Sequence, residues 1–503
     1  MFLVFGFLLL STPTLCSNIL GVFTYPSFSH QSVFQSIWKE LSLKGHNVTV
    51  VTPNPLNDPS LTNLTEISVR FTYDLIKQAK IQKVLSKNAN VFQSLYDVCR
   101  FLDVMVEAEL NSTGFKELIV DEYNHFDLVL VDGLHPVVYA LAERFKAPVV
   151  GVSPFGVLAV IYNNVGNPTH PVLYPDVLFG FHNIEQSIWF KIKSVLWSLW
   201  SRYHHHDIFV PRAHGIAKKY FGDGTPYVGD VEKNQSMLFH NLNPLLYPLR
   251  PNVPMIVEMG QMHIKPVKPL PQDLQRILDN ATEGVIYFSL GSNVKSVNLD
   301  EKLRKIVIEA LSELPYKVLW KWETNYLPGR PKNVVTRKWF PQQDILAHRN
   351  IRAFVTQGGL QSIEEAVSRG VPLIGMPFAT DQPSNVHKII DIGIGLGVDP
   401  GTVTKEELKK CIIEVAENNK YHRRIHEIRD ILYDKPMTGL EKFVWWSEYV
   451  IRHKGAEHLR SPAADFTWFD YLLLEVVVVA VVLSGTIIYL WYKVIQLTIY
   501  WRK

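Results

Sequence analysis

The sequence predicts an α/β protein of two doubly wound domains facing a cleft, with a C-terminal helix long enough to cross a membrane. Three observations carry this reading. Strand-like and helix-like patterns alternate along the chain, as they do where parallel sheets are covered on both faces. A proline-rich stretch, NLNPLLYPLRPNVP at 241–254, parts them into two series. An apolar run then closes the chain, from Tyr471 to Tyr492. The 503 residues are 47% hydrophobic and 20% charged, enough to bury large cores and too apolar for a disordered chain. A net charge of +3 without a basic block argues against a nucleic-acid partner. Three cysteines, Cys16, Cys99 and Cys411, exclude a disulfide-stapled ectodomain and a zinc cluster. Cys99 and Cys411 fall in helical, partly apolar stretches and read as reduced core residues.

The first series opens with ILGVFT (19–24), a loop YPSFSH (25–30), a helix from about Ser32 to Leu43 stopped at Gly45, and the strand NVTVV. FDLVLVD (126–132), a helix from about Val137 to Phe145, and PVVGVSP (148–154) repeat the pattern. The second series begins at GVIYFSLGS (284–292) and a helix from Asp300 to Leu314. It continues through KVLWKW (317–322), NVVTRKWF (333–340), AFVTQGG (353–359), a helix to Arg369 and VPLIGMP (371–377). These divide the body into domains at 17–245 and 255–435, followed by an aromatic segment at 436–468.

Both ends carry addresses. FLVFGFLLL and the small residues after it read as a secretory signal peptide over 1–16. The run 471–492 spans about 33 Å as a helix, sufficient for a bilayer core. Glu475 is its one charge, and Trp468, Tyr489, Trp491 and Tyr492 suit the interfaces. Lys493, Arg502 and Lys503 place the tail 493–503 in the cytosol and the body in the lumen, as a type I protein. Luminal exposure makes Asn63, Asn111, Asn234 and Asn280 candidate glycan sites. Asn47 reads as part of a buried strand, and Pro168 excludes Asn167.

Ligands of open parallel sheets bind beyond the carboxyl ends of the strands. His30 and Asp132 both belong to that rim of the first sheet, which permits an Asp–His pair with histidine as a base. Read without context, His30 is more readily an N-cap neighbour and Asp132 a helix cap than the two are a catalytic pair. In the second domain, TQGGLQSIEEAVSRGVP sets Gly358 and Gly359 between a strand and a helix, a ready phosphate site. Glu365 lies about one turn into that helix, where its carboxylate can accept ribose hydroxyls. Trp339 offers a flat stacking surface and Gln342 an amide for a nucleobase edge. Asp381 and Gln382 follow another strand end and suit sugar hydroxyls, while SLGS (289–292) adds a second small-residue loop.

The stretch from Trp339 to Gln382 resembles the signature of the UDP-glycosyltransferases. The resemblance extends over nearly the whole chain, through the leader, FSHQ (28–31), FDLVLVD, FSLGS and HLRSPAADFTW (458–468) before the C-terminal anchor. It is similar to insect membrane-bound members, and TQGGLQS to viral ecdysteroid glucosyltransferases. The resemblance implies a GT-B-like fold of two Rossmann-like domains with the UDP-sugar held mainly by the second. It assigns Trp339 to uracil stacking, Gln342 to the uracil edge, and Ser292, Gly358, Gly359 and Ser362 to the phosphates. Glu365 would hold the ribose, Asp381 and Gln382 the sugar, and His30 would be the general base oriented by Asp132. Two departures stand out. Gln357 occupies a position next to the pyrophosphate where the family usually has histidine, so backbone amides and the helix dipole would carry more of the phosphate charge. The tail TIYWRK lacks the dilysine retrieval signal.

The expected reaction is inverting transfer of a hexose, glucose rather than glucuronate, to a small lipophilic alcohol, phenol or steroid in the endoplasmic reticulum. No DxD sequence occurs, so no metal and no other cofactor is expected. A homo-oligomer stays open, as does a non-enzymatic alternative, a membrane-anchored protein that binds sugar nucleotides without turnover. Two further motifs remain. SIWFKIKSVLWSLW (187–200) reads as a core helix, an acceptor wall or a surface helix dipping into a membrane. HHHD (204–207) reads as an exposed turn, since adjacent histidines on a regular element cannot all face one ion.

Overall fold

The computed structural model describes residues 16–79, 91–177, 187–471 and 473–501. The leader expected at 1–16 therefore lies outside the described residues except for Cys16, and so do Arg502 and Lys503. Thirteen strands form two wholly parallel sheets among the described residues. The first holds β1 (Asn18–Val22), β2 (Asn47–Thr52), β3 (Leu64–Ser68), β4 (Leu128–Val131), β5 (Val149–Ser153), β6 (Met237–His240) and β7 (Ile256–Glu258). Its order is β3-β2-β1-β4-β5-β6-β7. The second holds β8 (Val285–Ser289), β9 (Lys317–Lys321), β10 (Val334–Arg337), β11 (Ile351–Thr356), β12 (Leu373–Gly375) and β13 (Gly395–Gly397), in the order β10-β9-β8-β11-β12-β13. Each sheet reverses direction beside its first strand, between β1 and β4 and between β8 and β11, and these switch points open the crevices where ligands bind.

Strand sequences explain the layering. LVLV in β4, VVGVS in β5 and VIYFS in β8 are buried at every position, as strands sandwiched by helices must be. Helix α1 (Phe28–Leu43) covers one face of the first sheet with Val33, Phe34, Ile37, Trp38 and Leu41. That spacing makes a single apolar stripe, each residue worth about 1.5–3 kcal/mol on full burial.

The domain boundary differs from the sequence expectation. β7 falls within 255–435, yet it pairs with β6 in the first sheet. A proline-rich stretch marks a break in regular structure but cannot say which sheet takes the next strand. The aromatic segment is a helix, α6 below (Gly439–His453), which returns to the first domain, with Phe443 against Phe239 and Val444 in the same core as Trp38. Its start is tightly seated, since a Cβ on Gly439 would run into the carbonyl oxygens of Met259 and Gly260. Gly439→Ala should therefore lower stability by about 1–3 kcal/mol, read as a drop in thermal midpoint.

Five further helices matter for the site: α2 (Ile188–Tyr203), α3 (Val210–Phe221), α4 (Leu360–Arg369), α5 (Gln382–Asp391) and, after α6, α7 (Leu474–Trp501). α7 begins three residues later than 471 and runs through most of the expected tail 493–503. Nothing in TIYW breaks a helix, so the polar boundary at Lys493 does not end it. Its residues are exposed and its mean hydropathy is that of a membrane span.

Asn47 is exposed at the first position of β2, so only the strand after it is buried. Asn63 departs from its reading as a glycan site: its amide donates to the Ser42 and His46 carbonyls at 2.8 Å and accepts from the Ser42 hydroxyl. Asn111, Asn234 and Asn280 are exposed.

Candidate functional site

The two strand rims face each other across a cleft of about 1600 Å³ lined by both domains. Every candidate catalytic or donor-binding residue read from the sequence lines it except Gly358. Gly358 instead makes the turn from β11 to α4 with a φ of 83°, and its carbonyl accepts from Asn385. A side chain there would strike Val386, so its contribution is backbone shape.

On the first rim, α1 starts at Phe28 rather than near Ser32, which puts His30 in its first turn. Gln31 holds this corner: its amide donates to the Phe23 and Tyr25 carbonyls at 2.9 Å, and its oxygen accepts from Thr52 at 2.8 Å. Sequence reasoning missed Gln31 as a positioning residue, although its place beside His30 was the available signal. The His30 ring lies 5.3 Å from Tyr25 and 5.0 Å from Phe155, centre to centre. Burial pushes its pKa down to about 4, so it is a neutral imidazole near pH 7.

The expected Asp132–His30 hydrogen bond is not formed. Asp132 accepts from the backbone N–H groups of Tyr25 and Leu134, both at 3.4 Å, while His30 Nδ1 has no partner. The physical reason is local. The bends after β1 and β4 leave the Tyr25 and Leu134 amides, which a carboxylate satisfies at once, whereas the imidazole packs among aromatic rings. Burial raises the Asp132 pKa to about 6.

On the second rim, α4 directs its N-terminus into the cleft from Gly359, leaving amide donors for an anion. Glu365 sits in this helix and is clamped by two neighbours: Gln342 donates to one oxygen at 2.6 Å and Gln343 to the other at 3.0 Å. Gln342 also donates to Ser362 at 3.0 Å and accepts from the Tyr287 hydroxyl at 3.1 Å. Gln342 thus lines the cleft with its side chain engaged by protein partners, and Gln343 joins it as a residue the sequence did not reveal. Burial raises the Glu365 pKa to about 7.

Trp339 is half exposed at the cleft, edge-on to Phe28 of the first domain at 4.7 Å. Its accessible ring can stack a planar base. Gln357 is buried against Gly291, and its Oε1 has no hydrogen-bond partner. Asp381 accepts from Asn385 at 2.7 Å and Thr380 at 3.0 Å. The Gln382 oxygen is spent on the amides of Phe378 and Ala379, leaving its NH₂ as the group to meet a ligand. Ser292 lies in the facing loop, where Gly291 has a φ of 76°.

HHHD departs from its reading as an exposed turn. His204–Phe209 is a π-helical turn between α2 and α3, which rotates His204 and His205 inward to 1% and 6% exposure. His205 meets Glu232 at 3.0 Å, and Asn164 donates to the same oxygen at 2.9 Å. This polar network forms part of the cleft wall. No group of three metal-ligating side chains occurs among the described residues. Cys99 is buried and Cys411 half-buried, both unpaired.

Two parallel sheets of Rossmann type, facing switch points and a helix N-terminus in the cleft define a two-domain GT-B glycosyltransferase architecture. The solved calicheamicin glycosyltransferase CalG4 shares that fold, with a TM-score of 0.54 and 19% identity over 87% of this chain and 99% of its own. The family model for UDP-glucoronosyl and UDP-glucosyl transferases matches residues 21–502. The chain belongs to this family of UDP-sugar glycosyltransferases. It is 31% identical to UDP-glycosyltransferase UGT5 of Dactylopius coccus, over 95% of this chain and 91% of the relative. It is 32% identical to the ecdysteroid UDP-glucosyltransferase of Spodoptera littoralis nuclear polyhedrosis virus, over 92% and 93%.

Proposed function

We propose that this protein transfers glucose, with inversion at C1, from UDP-glucose to a hydroxyl of a small lipophilic acceptor. The observation that carries this reading is the single cleft in which His30 and Asp132 face the cluster from Trp339 to Gln382. In the mechanism, His30 takes the acceptor proton as the oxygen attacks C1. The C1–oxygen bond to UDP breaks on the opposite side, and the departing pyrophosphate takes up the negative charge. His30 Nδ1 turns to Asp132 when acceptor fills the cleft, and Asp132 then stabilises the imidazolium. Trp339 stacks on uracil, Gln342 borders its edge and Glu365 holds the ribose. Ser292, Gln357, Gly359 and Ser362 surround the phosphates, while Asp381 and Gln382 meet the sugar.

Glucose is supported by the likeness to a viral ecdysteroid UDP-glucosyltransferase, and a lipophilic acceptor by Leu95, Leu102, Phe155 and Phe209 in the cleft wall. The body is luminal in the endoplasmic reticulum, held by α7. Neither a metal nor another cofactor enters the mechanism, so EDTA should leave the rate within about twofold of its value; tenfold loss restored by Mg²⁺ would overturn that part.

The unmade Asp132–His30 bond favours one alternative, donor binding without turnover. Microsomes bearing the chain, supplied with UDP-glucose or UDP-glucuronate and a panel of phenols and sterols, separate the two. Glucoside with inverted anomeric configuration supports transfer. Glucuronide alone would overturn the choice of sugar, and UDP binding without product from a broad lipophile library would favour the alternative.

A further inference from the structure

Two titratable side chains that the mechanism does not use, Glu364 and His263, are buried together with no exposed surface and no place in the cleft lining. His263 Nε2 lies 3.2 Å from the carbonyl oxygen of Gln361, in the first turn of α4. A carbonyl oxygen can only accept, so Nε2 carries the hydrogen. Burial lowers the pKa of this ring to about 4, and in the neutral ring Nδ1 is a bare lone pair. Nδ1 has no hydrogen-bond partner and faces Glu364 Oε2 at 3.5 Å. Oε2 also accepts from the Asn241 amide, and Oε1 from the Gln261 N–H, both at 3.3 Å. Two lone pairs set against each other repel, so one proton belongs between Oε2 and Nδ1. Burial raises the Glu364 pKa to about 8, which keeps that proton on the carboxyl group near neutral pH.

The contacts of this pair reach both domains. Asn241 follows β6 of the first sheet, while Gln261 and His263 lie on the segment that enters the second domain. Gln261 has a φ of 60°, a left-handed backbone that favours glycine. It is fixed there by donating to Ser368 at 2.7 Å and accepting from Lys435 at 2.9 Å. Gln361 in turn donates to the Pro154 carbonyl of the first domain at 3.1 Å. The His263 carbonyl accepts at 3.0 Å from Gln343, the same amide that holds Glu365. One residue thus meets the first turn of α4 and the Glu365 clamp together.

We infer that Glu364 and His263 are positioning residues for the UDP-sugar, sharing one proton and with it holding the first turn of α4 where the diphosphate is received. Loss of that proton leaves a buried negative charge one residue from Glu365 and close to the anion site. The aim of this turn matters more here because Gln357 brings no positive charge, so backbone amides must carry the phosphate. Around the pair stand Glu365 and Arg369 on α4, Lys265 on the entering segment and Lys435 before α6. The inference rests on the proposed placement of the UDP-sugar at α4 and adds two residues that never touch it.

Calorimetry of UDP with the full chain across neutral and alkaline pH reads the effect. Affinity should fall several-fold as pH rises through about 8, in addition to the fall on the acid side set by Glu365. Glu364→Gln keeps a hydrogen for Nδ1 but cannot lose it. Its affinity at neutral pH should stay within about threefold, and the alkaline fall should vanish. Lys435→Met removes a cation that favours ionised Glu364, so it should move the fall to higher pH. An alkaline fall that persists unmoved in Glu364→Gln overturns the inference and points to a group such as Lys265. Should the thermal midpoint show that Glu364→Gln does not fold, a fall unmoved in Lys435→Met overturns it instead. Absence of any fall near pH 8 in the unsubstituted chain does so as well. Glu365→Ala separates the two readings: unchanged UDP affinity there overturns both, whereas weakened affinity with an unmoved alkaline fall overturns the shared proton alone.

Discussion

Replacing His30 with alanine is expected to reduce kcat by about 10²–10⁴-fold while leaving the Kd for UDP within about twofold. The donor groups proposed above belong to the second domain, and the His30 ring packs against Tyr25 and Phe155 in the first. Removing the imidazole therefore takes away a proton acceptor without disturbing α4 or the Glu365 clamp. Glycoside formation and UDP calorimetry on the same preparation check this, and a matched loss of UDP affinity would point to a disturbed fold instead. The pH profile adds a finer test. With its pKa lowered to about 4, His30 of the unliganded protein is deprotonated across the neutral range. The acid limb of kcat/KM should accordingly lie near pH 4, well below that of an ordinary histidine. In the ternary complex Asp132 would favour the imidazolium, so the limb of kcat should move to higher pH. Asp132→Asn should abolish that difference between the two profiles and lower kcat.

The second large effect is expected at Glu365. Glu365→Ala should weaken UDP binding by about 10–100-fold, since hydrogen bonds to a charged group are worth about 1.5–3 kcal/mol and tenfold corresponds to about 1.4 kcal/mol. Calorimetry with UDP and with uracil, which lacks the ribose, separates the ribose contact from a general loss of the pocket. Only UDP should respond. Burial raises the Glu365 pKa to about 7, so its charged form is lost as pH falls through that value. UDP affinity should fall with it, and Glu365→Ala should flatten this dependence. Folding stability carries the opposite sign. Glu364, buried beside Asn241 and the Gln261 amide, has its pKa raised from 4.5 to about 8. The folded chain binds more protons there than the unfolded one, so this group's contribution to stability is full below about 4.5 and is lost as pH rises towards 8.

Much of the site was legible because parallel sheets place strand ends predictably. Once TQGG follows a strand and precedes a helix, the position of an anion site needs only backbone geometry. Trp339, Glu365 and Asp381 then share that rim by virtue of their positions in successive strand-to-helix units. Gln343 was passed over because its role depends on where Glu365 lies in space. Gln31 likewise acts through β1 and β2 at once, a relation without a local sequence pattern. The inward turn of His204 and His205 escaped for a different reason: their burial follows from a π-helical turn, and a regular helix or strand period cannot express it.

The alternation of strands and helices, the two glycine-bearing turns and the apolar C-terminal helix were determined by local pattern alone, because each follows from hydrophobic periodicity and backbone stereochemistry over short spans. Tertiary structure alone decided that β7 joins the first sheet, that α6 returns to it, and that Asp132 binds backbone amides instead of His30. It also decided that α2 turns its polar face inward, since Ser194 and Arg202 find their partners at Pro171 and Thr169. In each case the deciding energy is a contact between segments distant in the chain. Periodicity can mark such a segment as apolar or polar, but only its neighbours in space determine which surface it meets.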